Sequence, residues 1–219
     1  DKDARDGANG QTPLHLAAHH GKLPIIKYLC ELGADKEARS IDGKTPMHVA
    51  TNKGHQDIVK YLCEQGVNKE ARTKAGMEPL HFAAKEGFVK LANYLCEQGV
   101  NKEAKSEDGM TPLHLAASRG HVYVCQCLCE HGEGVEEAAT DSAIGLTAMH
   151  MAAENDHLPV VQYLSDNQRA VEHHQPRQDA AQKKTEEQFS DDLGLMDPAS
   201  LGLSFTGFAN PRVRAVEID

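Results

Sequence analysis

The sequence has no long apolar run and few basic residues. A helix that crosses a membrane needs about 18 consecutive apolar residues, and no segment approaches that length. The 219 residues include 23 Lys and Arg against 33 Asp and Glu, for a formal net charge of −10. Because binding to a phosphate backbone needs clustered Lys and Arg, we expect neither a nucleic-acid partner nor direct membrane insertion.

The sequence also lacks the short motifs that carry chemistry. It contains no Gly-rich phosphate loop, nucleophile elbow or zinc-protease motif. The overall balance, 40% hydrophobic and 26% charged residues, is that of a globular chain. We therefore predict a folded protein that is not an enzyme and holds no cofactor.

What the sequence has instead is an internal repeat. A five-residue motif of the type x-Thr-Pro-Leu-His returns at spacings of 33, 33, 33 and 36 residues. Its copies are Gln11–His15, Lys44–His48, Met77–His81, Met110–His114 and Leu146–His150. A second column, about fifteen residues further on, reads Tyr28–Glu31, Tyr61–Glu64, Tyr94–Glu97, Cys127–Glu130 and Tyr163–Asp166.

Each unit is predicted to be a pair of helices. Pro46 suits the first position of a helix, where its missing N–H leaves no bond unmade, and Thr45 before it can cap that helix. Gly54 is typical of a helix end, and Asp57–Cys63 carries apolar residues at helical spacing. The other units repeat this pattern, although Glu78 replaces the capping Thr in the third.

These motifs resemble ankyrin repeats, whose pattern is D-G-x-T-P-L-H-x-A-A, then G-H, an apolar helix and G-A-D. The resemblance implies an all-α solenoid of five helix-pair repeats with hairpin loops on one side. One pair cannot bury its apolar face alone, so neighbouring pairs must stack into a continuous core. The repeats are expected at about 6–38, 39–71, 72–104, 105–139 and 140–167, within a domain of residues 1–167.

The two ends of the sequence differ from the middle. Asp1–Arg5 matches Asp35–Arg39, a stretch that elsewhere follows a second helix, so we expect a further repeat upstream. The fifth unit is degenerate, as terminal repeats often are, with Ala148 for Pro and Asp156 for Gly. Residues 168–219 have no 33-residue period and are predicted to be a C-terminal tail, a polar linker followed by a docking segment. The tail can fold back on the repeats or dock on a partner, and we favour the partner.

Two columns of chemically active side chains recur once per repeat. His15, His48, His81, His114 and His150 form the first, and Cys30, Cys63, Cys96 and Cys129 the second. A residue present in every unit is architectural, so we expect the histidines to bond loop backbone between repeats. We expect the cysteines to be small buried side chains rather than disulfides. Free thiols at this frequency favour a reducing intracellular compartment. Of the compartments of this kind, we favour the cytoplasm over an organelle.

A zinc site is the alternative interpretation of three His and Cys side chains. His121, Cys125 and Cys129 share a helix face at i, i+4 and i+8, and zinc uses such ligands. Two of them are ordinary repeat positions, and no fourth ligand is evident. We therefore predict no metal.

The resemblance implies that partners are bound by the hairpin tips and the exposed side of the first helix. The tip positions are Arg39, Ile41, Asp42, Lys44, Arg72, Lys74, Met77, Lys105, Glu107, Met110 and Leu146. The first-helix positions are Asn52, Lys53, Lys85, Glu86, Ser118 and Arg119, and the tail adds Phe205 and Phe208. This set is richer in Lys and Arg than the whole chain, which favours an acidic partner segment.

Two functions remain open. The first is a non-catalytic protein-interaction module, a scaffold or peripheral subunit of a larger assembly, with the tail as a second contact. The second is the targeting or regulatory module of a larger enzyme whose catalytic domain lies upstream.

Overall fold

The protein is a stack of helix pairs in the computed structural model, which describes residues 1–130 and 147–167. The first helices of the pairs are α1 (Pro13–His19), α3 (Pro46–Asn52), α5 (Pro79–Glu86), α7 (Pro112–Ser118) and α9 (Ala148–Glu154). The second helices are α2 (Leu23–Glu31), α4 (Gln56–Glu64), α6 (Val89–Glu97), α8 (Val122–Glu130) and α10 (residues 158–167). No strand occurs in these described ranges, so the predicted all-α class is confirmed.

The helices begin and end where the sequence predicts. Four first helices start at a proline, after a residue with extended backbone that shares a capping box with the histidine three positions on. Gly54 and Gly87 follow α3 and α5 with φ of 74° and 77°, the left-handed conformation that glycine adopts without steric cost. Asp156 takes the same conformation, with φ 59°, in the fifth repeat.

The core runs continuously through the stack. Each first helix contacts the next first helix along the chain, and each also contacts the second helix of its own pair through α8. Leu14, Met47 and Leu80 occupy the same repeat position and are all within 1% of full burial. One connected cluster of buried side chains therefore extends from Leu14 to Leu164.

The loops between repeats close in tight turns. In the second repeat the Ser40 amide donates to the Lys44 carbonyl oxygen at 2.9 Å, and the Gly43 amide returns to the Ser40 carbonyl oxygen at 2.9 Å. Gly43 has φ 76°, and a Cβ on it would lie 2.9 Å from the Lys74 amide nitrogen. The next turn therefore packs directly against this one.

The described residues belong to the first of the two units into which the chain divides, Asp1–Val171 and Glu172–Asp219. The three-residue insertion expected between Glu133 and Ile144 and the whole second unit lie outside the described residues. The predicted end of the repeat domain at residue 167 stays a prediction.

Candidate protein-interaction surface

The repeated histidines tie each first helix to the loop of the following repeat. His15 Nε2 lies 2.9 Å from the Lys44 carbonyl oxygen, and His81 Nε2 lies 3.2 Å from that of Met110. His48 Nε2 lies 2.8 Å from the Ala71 carbonyl oxygen and 3.2 Å from that of Met77. For these three histidines the predicted architectural role is confirmed.

The protonation state of these rings follows from their partners. The Thr45 amide donates to His48 Nδ1 at 3.1 Å, so the ring proton lies on Nε2, where it is donated to the loop. Burial lowers the pKa of His48 and of His81 to about 4, and it lowers the pKa of His15 as well. These rings are neutral hydrogen-bonding groups near pH 7.

A second set of rings covers the glycines that end the first helices. His55, His121 and His157 place Nε2 3.1 Å from the carbonyl oxygens of His19, Lys85 and Ser118 respectively. A Cβ on Gly87 would lie 2.6 Å from the His121 ring. Glycine is required there by the neighbouring repeat as well as by its own backbone.

Arginines of the loops reach from one turn to the next. Arg5 Nη1 donates to the Arg39 carbonyl oxygen at 2.5 Å, and Arg39 Nη1 donates to that of Arg72 at 2.6 Å. The Arg72 guanidinium donates to the Lys105 carbonyl oxygen. Arg39 and Arg72, both predicted to contact a partner, therefore also hold the loops together.

Carboxylates of the repeated Asp/Glu-Ala-Arg segment do the same. Glu37 accepts from the Asn68 amide at 2.6 Å, and Glu70 accepts from the Asn101 amide at 2.8 Å. Repetition in this sequence thus marks contacts between repeats. Other surface positions change residue type from repeat to repeat.

The structure places the predicted tip residues at or near the surface. Arg39, Ile41, Asp42, Arg72, Lys74, Lys105 and Glu107 are exposed. Lys44, Met77 and Met110 are half-buried, so the two methionines are less accessible than the sequence suggested. Backbone bonds such as Lys74 N to Asp42 O, 3.0 Å, fix the spacing of successive tips.

The first-helix residues form a parallel row. Lys53, Glu86 and Arg119 are exposed, and Asn52, Lys85 and Ser118 are partly exposed beside them. We call this row and the tip residues of the preceding paragraph, apart from Arg39 and Arg72, the variable surface. Leu146, Phe205 and Phe208 lie outside the described residues.

Sequence reasoning missed two members of this row. His19 and His20 occupy the positions of Asn52 and Lys53 in the first repeat, and both are exposed. Their rings meet edge to face at a centroid distance of 4.7 Å. Desolvation, followed by the Lys53 charge, lowers the pKa of His19. The repeat register alone would have identified both.

The comparison with known families decides what these repeats are. A family model described as Ankyrin repeats (3 copies) matches residues 1–73, 35–106 and 80–179. The chain is an ankyrin repeat protein. No curated protein matches the chain significantly.

Ankyrin repeats are in general protein-protein interaction modules. In this ankyrin repeat protein the repeated histidines and arginines hydrogen-bond backbone carbonyl oxygens of the neighbouring repeat. The exposed side chains of the variable surface face solvent beside these contacts. No helix in residues 1–130 or 147–167 is long and apolar enough to cross a membrane.

His121, Cys125 and Cys129 do not form a metal site in the structure. In the part of this ankyrin repeat protein that the structure describes, no three His, Cys, Asp or Glu side chains group in a way that could hold a metal ion. Cys125 is fully buried, and burial raises its pKa to about 12. Burial also raises the pKa of Cys129 to about 11. None of the six cysteines, all of which lie in the described ranges, forms a disulfide.

Proposed function

We propose that this ankyrin repeat protein is a non-catalytic scaffold or peripheral subunit that binds another protein through the variable surface, with the C-terminal tail as a second contact. One observation carries the proposal. Side chains that recur in the repeats, such as Arg39 and His48, are engaged between repeats, whereas the variable surface is wholly or partly exposed and differs from repeat to repeat.

The charge of the row favours an acidic partner segment. Lys53, Lys85 and Arg119 stand in successive repeats at the exposed end of the first helices, while the chain as a whole carries a net charge of −10. A local basic row on an acidic protein orients a complementary acidic segment as it approaches and increases the rate of association. Lys74 and Lys105 extend the basic character to the tips.

A second contact through the tail would raise affinity without any change at the variable surface. Two linked sites convert the second binding event into an intramolecular one. The apolar residues Phe205 and Phe208 are the candidates for this contact.

Crosslinking mass spectrometry on the natively purified protein tests the proposal. Crosslinks from Lys53 or Lys85 to a second protein identify the partner of the variable surface. Crosslinks from Lys183 or Lys184 to that protein support the tail contact, whereas tail crosslinks confined to the repeats contradict it.

Charge reversal then tests the surface itself. The double variant Lys53→Glu, Lys85→Glu should weaken binding of the identified partner about tenfold or more. Its matched control, Lys60→Glu with Lys90→Glu, changes the net charge equally on exposed positions of the second helices. Equal effects of the two double variants, with unfolding midpoints unchanged, would overturn the assignment of the surface.

A further inference from the structure

The second helices carry a regular pairing of cysteine with tyrosine across repeats. Burial raises the pKa of Cys30 and of Cys63, and in each case the tyrosine of the next repeat, Tyr61 or Tyr94, opposes that rise. The cysteines of successive repeats therefore do not face one another. Each of these thiols instead faces the tyrosine column of its neighbour.

The fourth repeat breaks this pattern. Cys127 stands where the other repeats have tyrosine, and its thiol lies close enough to Cys96 to raise the pKa of Cys96. A separate contact fixes the same arrangement, because Cys127 Sγ lies 3.7 Å from Asn93 Oδ1. Asn93 and Cys96 are three residues apart on one face of α6. Cys127 on α8 thus lies over the face that bears Cys96.

Facing residues of packed helices are within reach of a disulfide. Helix axes pack about 8–10 Å apart and Cα atoms lie about 2.3 Å from each axis. Directly facing Cα atoms are therefore about 3.4–5.4 Å apart, which overlaps the range of about 4.4–6.8 Å that disulfides use. The expectation that the cysteines are buried side chains rather than disulfides concerned the column of Cys30, Cys63, Cys96 and Cys129 and does not cover the pair Cys96 and Cys127.

One side of the pair borders solvent. A groove of about 330 Å³ runs between α6 and α8, lined by Val89, Lys90, Asn93, Tyr123, Gln126 and Cys127. Cys96 and Cys127 are each only 6% exposed. A small oxidant can enter the groove and meet Cys127, while Cys96 lies behind it.

We propose that Cys96 and Cys127 are a modification site, a dithiol that hydrogen peroxide converts to a disulfide linking the third and fourth repeats. The Cys127 sulfur attacks one peroxide oxygen, the O–O bond breaks, and the departing hydroxide takes the thiol proton to become water. Cys127 is then a sulfenic acid. The Cys96 sulfur attacks it, the S–O bond breaks, and the hydroxide and the Cys96 proton form a second water.

Two thiols and one peroxide thus give one disulfide and two waters. The neighbouring Cys127 thiol, followed by burial, raises the pKa of Cys96. Because the thiolate is the nucleophile, the second step is slow near pH 7 and faster in alkaline solution. This order assigns the first attack to Cys127, which lines the groove.

Peptide mapping of the oxidised full-length protein tests the site. The folded protein is treated with hydrogen peroxide, quenched, alkylated in urea and digested, and fragmentation of the linked peptide assigns both sulfurs. We expect a Cys96–Cys127 linkage as the main product, formed faster at pH 9 than at pH 7. Oxidation should raise the urea unfolding midpoint, and dithiothreitol should restore it.

Variants make the test specific. Cys127→Tyr installs the residue that the other repeats have and should abolish the linkage without loss of folding. Cys129→Ser, two residues away on α8, should leave its yield unchanged. The proposal is wrong if the linked peptide is absent while Cys96 and Cys127 remain alkylatable. It is also wrong if the linkages in folded protein match those in urea-unfolded protein.

Discussion

His48 Nε2 donates a hydrogen bond of 2.8 Å to the carbonyl oxygen of Ala71, which lies 23 residues further on in the loop before the next repeat. The same ring accepts from the Thr45 amide through Nδ1. One side chain therefore closes its own helix start and holds the next repeat in place. It is also completely buried.

Replacement of this ring should be costly. His48→Ala removes both hydrogen bonds and leaves a cavity, so we expect a loss of about 2–4 kcal/mol in the free energy of unfolding. His150, at the same repeat position in α9, is exposed, and His150→Ala should cost less than about 1 kcal/mol. Urea unfolding of both variants measures the difference. Similar losses would contradict the role assigned to His48.

The buried histidines should also make the stability depend on pH. The pKa of His48 and of His81 falls from 6.5 to about 4 on folding. The unfolded chain therefore binds more protons between these values, and stability falls as the pH drops from 6.5 towards 4. At 1.36 kcal/mol per pKa unit, each ring makes the free energy of unfolding about 3 kcal/mol higher above pH 6.5 than below pH 4. Urea midpoints across this range check the sign, and His81→Gln should flatten the curve.

The repeat pattern made most of this framework predictable. Pro46 at a helix start, Gly54 at a helix end and His48 between repeats all follow from positions that recur every 33 residues. Arg39 shows where the pattern is ambiguous. Its place on a tip predicted a partner contact, yet a hydrogen bond to the Arg72 carbonyl oxygen engages it within the stack.

What the sequence could not predict depends on contacts between different repeats. That Cys96 faces Cys127 follows from helix register across the stack, which fixes which columns meet. The half-burial of Met77 likewise depends on its neighbours in space. The identity of the partner cannot be predicted from these contacts, because it depends on the surface of another protein.

Glu78 departs from the repeat pattern at a cost that can be measured. It replaces the capping threonine before α5, is only 7% exposed, and its Oε2 is buried without a hydrogen-bond partner. Desolvation, followed by the Glu70 charge, raises its pKa. Glu78→Thr should raise the free energy of unfolding by about 1 kcal/mol at pH 7, because it removes this unpaired group.

The pH dependence of that gain separates charge from packing. A raised folded-state pKa means that the ionised carboxylate lowers stability above that pKa, and that the penalty disappears as the pH falls towards 4.5. The advantage of Glu78→Thr in urea unfolding should therefore shrink as the pH falls towards about 4.5 and change no further below that value. Thr45→Glu, the reverse change in the second repeat, should destabilise at pH 7. A gain that did not vary with pH would assign the effect to shape alone.

Two glycines with the same backbone separate conformational strain from contact between repeats. Gly66 and Gly87 have φ of 74° and 77°. A Cβ on Gly66 meets nothing within 4 Å, whereas one on Gly87 would lie 2.6 Å from the His121 ring. Both alanine variants incur the left-handed backbone penalty of about 1–2 kcal/mol. Gly87→Ala must in addition displace the ring that bonds the Lys85 carbonyl oxygen at 3.1 Å.

We therefore expect Gly87→Ala to lower the free energy of unfolding by about 1 kcal/mol more than Gly66→Ala. The double variant Gly87→Ala, His121→Ala supplies the control. With the ring removed, alanine at position 87 should cost no more than alanine at position 66. Urea unfolding of the four variants, His121→Ala included, completes the cycle. If the extra cost persisted without the ring, it would arise from the backbone of α5 and not from contact between the third and fourth repeats.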